Sequence, residues 1–478
     1  PVAPSKMNES DIARGFSTGE LADGAPESDR QGGIPAGYTY LGQFVDHDIT
    51  FDPASSLMRQ NDPSGLLNHR TPRLDLDSVY GGGPEASPHL YENEDPIRFP
   101  DNDKRKFLIG GADGTALQDL PRNSEGRALI GEMRNDENVI VSQLHLAFLR
   151  AHNKLVEIAI DEEVPKADVF NTARQTLRWL YQYIIWNDFL KRITDPTVFN
   201  TILDPNPGAL PAADKYFHWQ SNREDIYHWK YNPFMPVEFS VAAYRFGHSM
   251  VRNAYKTNQE NRTTDPNGDD IFKLVPLFDN ASGVNTDNSL RGFRPVGASN
   301  IIQWDWFLDM PSSIGEFPQR ARKIDTKLSN ALVFLHEAAP GSPMNILALR
   351  NLQRGARFDL PSGTAVARKL GFTPIPVESH EDMLWFYILK EAEEQADGQH
   401  LGKVGSTIIC AVFAGLLLDD PFSYFNMDPR WTPDSDKLLN SIKDDDDNPL
   451  TLKEASAKSG EWELGAIIKL SELLKDKS

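Results

Sequence analysis

Residues 41–52 read Leu-Gly-Gln-Phe-Val-Asp-His-Asp-Ile-Thr-Phe-Asp, and this run decides the fold. Placed on a helix, Gln43, Asp46 and His47 stand at i, i+3 and i+4 and share one face. Leu41, Phe44 and Val45 make the apolar side. Asp48 is turned about 100° from His47. One helix thus offers an amide, a carboxylate and an imidazole to one cavity and a second carboxylate elsewhere, more polar equipment than a packing helix needs.

Further along the chain, helical patterning is dense. Val141, Leu144, Phe148, Leu155 and Ile158 recur at near-helical spacing across 138–160. Leu177, Leu180, Tyr181, Ile184, Ile185 and Phe189 do the same across 170–192. Pro236, with Glu238 at the positive end, opens another helix, which carries His248. Residues 381–395 and 404–418 read as helices too. Alternating strand patterns are scarce and no internal repeat is visible. The expectation is a mainly α fold with little β: an extended N-terminal arm over 1–37, then one large domain over 38–478. Residues 53–125, with many Pro, Gly and Asp, read as a long irregular excursion, which in a compact protein is usually functional. The acidic run 444–447 reads as a solvated loop.

A chain of 478 residues exceeds the usual single-core size and has room for a cofactor-sized cavity. Its 69 acidic and 49 basic residues leave a net charge of −20, which disfavours nucleic acid and anionic membranes as partners. Cys410 is the one cysteine, so no intramolecular disulfide and no cysteine-based zinc or iron–sulfur site can form. It lies in the apolar run 408–418, where a buried thiol is expected; the run falls short of the ~20 residues a membrane span needs. No secretory leader is legible. A chain beginning at Pro1 is compatible with its removal, so an extracellular or periplasmic location stays open.

The run at 41–52 resembles the distal-side helix of the animal-type haem peroxidases, the peroxidase–cyclooxygenase superfamily. Other segments agree, in the family's order: DLDSVYG at 75–81, MRNDEN at 133–138 leading into LHLAFLRAHN at 144–153, YRFGHSMV at 244–251 and RNLQRGAR at 350–357. The resemblance implies that family's fold, a large helical domain around a buried haem. Animal members are secreted and disulfide-rich; the single cysteine departs from that pattern and suggests a bacterial or otherwise simpler homologue.

By that resemblance His248 is the proximal iron ligand, with Gly247 leaving room for a porphyrin and Arg245, at i−3, reaching a propionate. The side-chain carbonyl of Asn351 accepts from the other ring nitrogen of His248, and Arg354 is a second propionate partner. His47 is the distal base, with an imidazole near its ordinary pKa of ~6.5. Arg134 stabilises the charge that develops as the O–O bond breaks, and Gln43 orients water or a halide. Read alone, Arg134 is a surface ion pair and Asn351 a cap or turn residue. Asp46 and Glu137 match the carboxylates that form ester links to haem b. Asn138 stands where myeloperoxidase has a methionine, so no sulfonium link can form. Asp48, Thr71, Arg73 (through its backbone carbonyl), Asp75 and Asp77 match a calcium site.

The implied reaction is reduction of hydrogen peroxide through a ferryl intermediate, with oxidation of small anions (iodide, bromide, thiocyanate) or phenols and poor oxidation of chloride. The alternative is a fatty-acid dioxygenase of the same superfamily. Those enzymes carry a radical-forming Tyr three residues before the proximal His, where this chain has Arg245, with Tyr244 turned about 100° away on an α-helix. A haem-binding scaffold without turnover is a further alternative. A non-haem metal enzyme lacks any HExxH or similar spacing.

Overall fold

The computed structural model describes residues 31–51, 68–93, 97–98, 102–110, 118–204, 220–221, 227, 234–278, 288–333, 346–379, 381–444 and 446–475. The expectations for residues 1–30 and 53–67 lie outside them. Among the described residues the fold is mainly α, and its sheet is confined to two-stranded antiparallel pairs. Strand β1 (Gln31–Pro35) pairs with β2 (Arg320–Arg322), Gln31 opposite Arg322 and Pro35 opposite Arg320.

Helix α1 (Gly37–Ile49) carries the opening run. Its start has no side-chain cap; the Ala36 and Gly37 amides instead donate to Gln319 O at 2.8 Å and Phe307 O at 2.9 Å. Leu41, Phe44 and Val45 are wholly buried. Phe44 stacks on Phe148 at 4.5 Å between centroids and meets Tyr181 edge-on at 6.2 Å, which fastens α1 to α2 (Val139–Asp161) and α3 (Val169–Ile184). Asn138 begins α2 by accepting from Val141 N at 3.0 Å, a side-chain N-cap.

The expected helix over 170–192 is present but interrupted: α3 passes through one wide π turn (Ile185–Phe189) before Leu190–Ile193. The turn presents Asp188 to the Tyr38 hydroxyl, 2.6 Å away, and sets Phe189 so close to α1 that a Cβ on Gly42 would lie 3.3 Å from its ring. The remaining long elements are α4 (Leu347–Arg357), α5 (Leu384–Ala396), α6 (Lys403–Asp419) and α7 (Gly465–Glu472). Helix α6 is buried on every side, which explains its continuous apolar sequence, and burial pushes the Cys410 thiol up to about 12. Helix α7 lies along α2, where Arg150 donates to Ser471 O at 3.2 Å and Leu474 O at 2.7 Å. No described helix is long and apolar enough to cross a membrane.

The segment carrying His248 corrects the sequence expectation. It is not an α-helix from Pro236 but a π turn (Glu238–Ala242) followed by a 3-10 helix (Ala243–Met250), with the break at Ala242, φ −124 and ψ −70. A 3-10 helix has three residues per turn, so Arg245 and His248 stand one directly above the other. Apolar spacing alone does not separate a wide turn followed by a tight one from a regular helix.

Candidate active site

A cavity of about 310 Å³ lies between α1, the 3-10 segment, the turn leading into α2 and the start of α4. From α1 come Gln43, Asp46 and His47, on one face as their spacing requires. The His47 ring is buried; its Nδ1 lies 2.7 Å from Asn135 Oδ1, and Nε2 has no partner among the described residues. Burial and the neighbouring Arg134 cation hold this imidazole down to about 4, against the ordinary value expected from sequence. It is therefore neutral at pH 7 and able to accept a proton. Gln43 donates to Glu137 and accepts from Asn138 Nδ2 at 3.1 Å, so α1 and the turn before α2 share one polar wall. Asp46 accepts from the Thr50 hydroxyl at 3.1 Å.

His248 comes from a different element into the same cavity. Its Nδ1 is 3.0 Å from Asn351 Nδ2 on α4, where the resemblance implies the side-chain carbonyl; with the amide turned end for end, Oδ1 accepts from Nδ1–H and Nε2 is left free to ligate. Burial, and secondarily Arg245, lower it to about 3, which leaves the neutral ring that ligates metals. Arg245 also lines the cavity. Its Nε donates to Ser240 O at 3.1 Å and its carbonyl accepts from Trp385 Nε1 at 3.2 Å. Burial and the like charge of Arg354 bring its guanidinium down to about 10. Arg354 itself is not in the lining; Arg350, one turn earlier on α4, is.

Arg134 is not in the lining either. Its guanidinium donates to Glu132 at 2.9 and 3.0 Å, to His47 O at 3.2 Å and to Thr50 O at 2.6 Å, with the Phe51 ring 4.9 Å away. It clasps the C-terminal end of α1 from behind His47. Burial raises the Glu132 carboxyl, but hydrogen bonds from Arg134 and Arg70 outweigh that and hold it at about 2. Arg70 reaches on to Asp77 at 3.2 Å.

Asp48, on another face of α1, meets Asp75 and Asp77, with one carboxylate oxygen of each within 4.8 Å of the others. Asp48 is fully buried and accepts from Ser78 Oγ at 2.7 Å. Thr71 Oγ1 donates to Asp75 at 2.9 Å. Arg73 is close in sequence, but its guanidinium turns away to Asp420, 3.9 Å off. Burial and the charges of Asp75 and Asp77 push the Asp48 carboxyl up to about 8.

Sequence reasoning passed over Asn135, Glu132, His145 and Arg350. Three of them carried a faint signal: a buried-side histidine between Leu144 and Leu146, a carboxylate two residues before Arg134, and an arginine one turn before Arg354.

The model of the animal haem peroxidase family matches residues 54–375, more than half of the chain. That match begins after the distal-side helix, which the structure itself brings to the cavity. A peroxidase-like protein from Margaritifera margaritifera is 26% identical over 409 residues, 79% of this chain and 48% of that protein. Mouse thyroid peroxidase is 28% identical over 199 residues, 40% of this chain and 20% of that one. The chain therefore spans less than half the length of these relatives. Among solved structures, peroxidase A from Dictyostelium discoideum superposes with a TM-score of 0.59 at 17% identity, over 96% of this chain and 92% of that one. Oryza sativa fatty acid alpha-dioxygenase gives 0.53 at 16% identity, over 88% and 73%. These two likenesses carry the fold alone. The family match, together with two histidines in one cavity, shows that the chain belongs to the animal haem peroxidase family.

Proposed function

We propose that this protein is a haem peroxidase that reduces hydrogen peroxide and oxidises small anions or phenols. One observation carries the reading: two histidines from different elements line one cavity, each with Nδ1 engaged by an asparagine side chain. The residues fit haem. Arg245 is a buried cation set against a like charge, a position that an anionic propionate relieves. Arg245 and Arg350, with Arg354 behind them, are the propionate side, and His248 Nε2 is the iron ligand.

Haem, when bound, supplies the iron that takes up the oxidising equivalents of peroxide. The chain supplies the rest. His47 Nε2 accepts the proton that peroxide gives up and returns it to the departing oxygen as water forms. Gln43 holds water or a donor beside it. Arg134 acts from behind, holding α1 at His47 and adding positive potential. Asp46 and Glu137 line the cavity and would be the carboxylates that attach haem through ester links. Asp48, Asp75, Asp77 and the Thr71 hydroxyl offer oxygen donors only, and like charges crowded in a buried site favour a divalent cation of calcium's preference.

The donor class follows from Asn138. Without a sulfonium link, iodide, thiocyanate and bromide are oxidised readily and chloride poorly; efficient chloride turnover at neutral pH would contradict this. Iodide turnover with peroxide, in the haem-loaded protein and in His47→Ala, tests the reading as a whole.

A second reading, fatty-acid dioxygenase, is favoured by one feature. Tyr244 lines the cavity after all, buried, with no partner for its hydroxyl among the described residues. Oxygen uptake with linoleate in the absence of peroxide, lost in Tyr244→Phe, would establish that reading instead.

A further inference from the structure

Behind His47 lies a buried chain of side chains to which the catalytic reading gives no role. Asn135, wholly buried, sets its amide between two imidazoles. Its Oδ1 is 2.7 Å from His47 Nδ1, and its Nδ2 is 3.0 Å from His145 Nδ1. Asn135 is fixed at both ends of its backbone neighbourhood: its own amide donates to Glu132 O at 3.0 Å, and Phe293 N donates to Asp136 O at 2.6 Å. His145 is wholly buried in α2, with Phe44 edge-on at 6.0 Å and no partner for its Nε2 among the described residues.

A neutral imidazole carries one proton, and which nitrogen holds it is set by the hydrogen bond the other nitrogen makes. A carbonyl oxygen can only accept. With Oδ1 toward His47, Nδ1 must hold the proton and Nε2 presents a bare lone pair. The amide NH₂ can only donate, so His145 Nδ1 must accept and its proton sits on Nε2. The placement of the amide, with Oδ1 toward His47 and Nδ2 toward His145, thus sets both tautomers. Reversed, the amide would place the His47 proton on Nε2, and the ring could not take one from peroxide.

We propose that Asn135, backed by His145, is a positioning residue that keeps His47 in the Nδ1-protonated tautomer with its Nε2 lone pair open to the cavity. This rests on the reading of His47 as the base, and the chemistry around it agrees. His145 is wholly buried, and His47 is buried beside the Arg134 cation, which donates to its carbonyl, so tautomer rather than charge is what remains to be set. The sequence separates Asn135 from its partners, 88 residues from His47 and 10 from His145, so the arrangement exists only in the folded chain.

The test uses the full haem-loaded chain with ¹⁵N-labelled histidine, reduced and bound by carbon monoxide so that the haem is diamagnetic. Long-range ¹H–¹⁵N correlations, assigned with His47→Gln, are expected to show His47 protonated on Nδ1. A proton on Nε2 in the unmutated protein overturns the proposal. The second readout is the association rate of cyanide with the ferric protein. Hydrogen cyanide must surrender a proton on binding, so it reports the base without turnover. Asn135→Leu is expected to slow association roughly 10–100-fold, the range typical when an orienting partner is lost. Asn135→Asp, whose carboxylate still accepts from Nδ1–H, is expected to restore most of it. Asn135→Leu binding cyanide at the unmutated rate overturns the positioning role. If His47→Ala also binds at that rate, the base assignment itself has failed, which separates the two claims.

Discussion

At the residue scale, the side chains of α1 are the ones the sequence displays. Gln43, Asp46 and His47 share a face because their spacing leaves no other arrangement on a helix, and they do line one cavity. Replacing His47 by Ala is expected to lower peroxide-dependent iodide oxidation by about 10²–10⁴-fold with haem content unchanged; a loss under about tenfold in stopped-flow turnover would remove it as the base. Glu132 was not legible, because its importance lies in gripping Arg70, 62 residues away, as well as Arg134. With its carboxyl held at about 2 against an ordinary 4.5, its contribution is complete above pH 4.5 and lost as pH falls through 2. Glu132→Gln is expected to cost on the order of 3 kcal/mol at pH 7, because it leaves two arginines short of a partner. The difference from the unmutated protein should shrink in urea titrations near pH 2.

At the element scale, periodicity identified the long helices and missed their irregularities. Wide turns at 185–189 and 238–242 and the tight one at 243–250 keep apolar residues inward, as a regular helix does, so the pattern reads the same. What selects them is tertiary: Asp188 meeting Tyr38, and the Arg245 carbonyl accepting from Trp385 Nε1. The turn bearing Arg134 to Asn138 is pinned in a similar way. Gly292 N donates to Glu137 O at 2.9 Å, and a Cβ there would lie 1.8 Å from Asp136 O. Gly292→Ala must therefore push that turn off the cavity wall, with loss of haem affinity ahead of loss of fold, readable by haem titration and far-ultraviolet circular dichroism. The joint between α1 and α2 is a packing matter. Phe44→Ala, at a wholly buried site stacked on Phe148, is expected to cost about 3–5 kcal/mol in chemical denaturation.

At the scale of the whole molecule, the stretch from Arg70 to Asp77 looked irregular in the sequence because its contacts are distant: Asp75 and Asp77 gather against Asp48 of α1, and Arg70 links them through Glu132 to Arg134. Calcium, where bound, ties this stretch to the catalytic helix. The expected result is a Tm that rises with calcium, an effect abolished by Asp75→Asn, and an apparent affinity that weakens as pH falls below about 8, where Asp48 takes up a proton. A Tm indifferent to calcium and to chelator would dismiss the site. Buried His145 and His152, held near 3 and 4, act in the same direction at lower pH: the unfolded chain takes up protons below 6.5 that the folded chain refuses. In calcium-saturated protein, stability should fall as pH drops from 6.5 toward 4. The central claim, one haem held by His248 and served by His47, is tested most directly by the absorption spectrum of the haem-loaded protein before and after one equivalent of hydrogen peroxide. The account predicts a high-spin Soret band that shifts on mixing and returns when iodide is added. An unchanged Soret band with haem bound would contradict it.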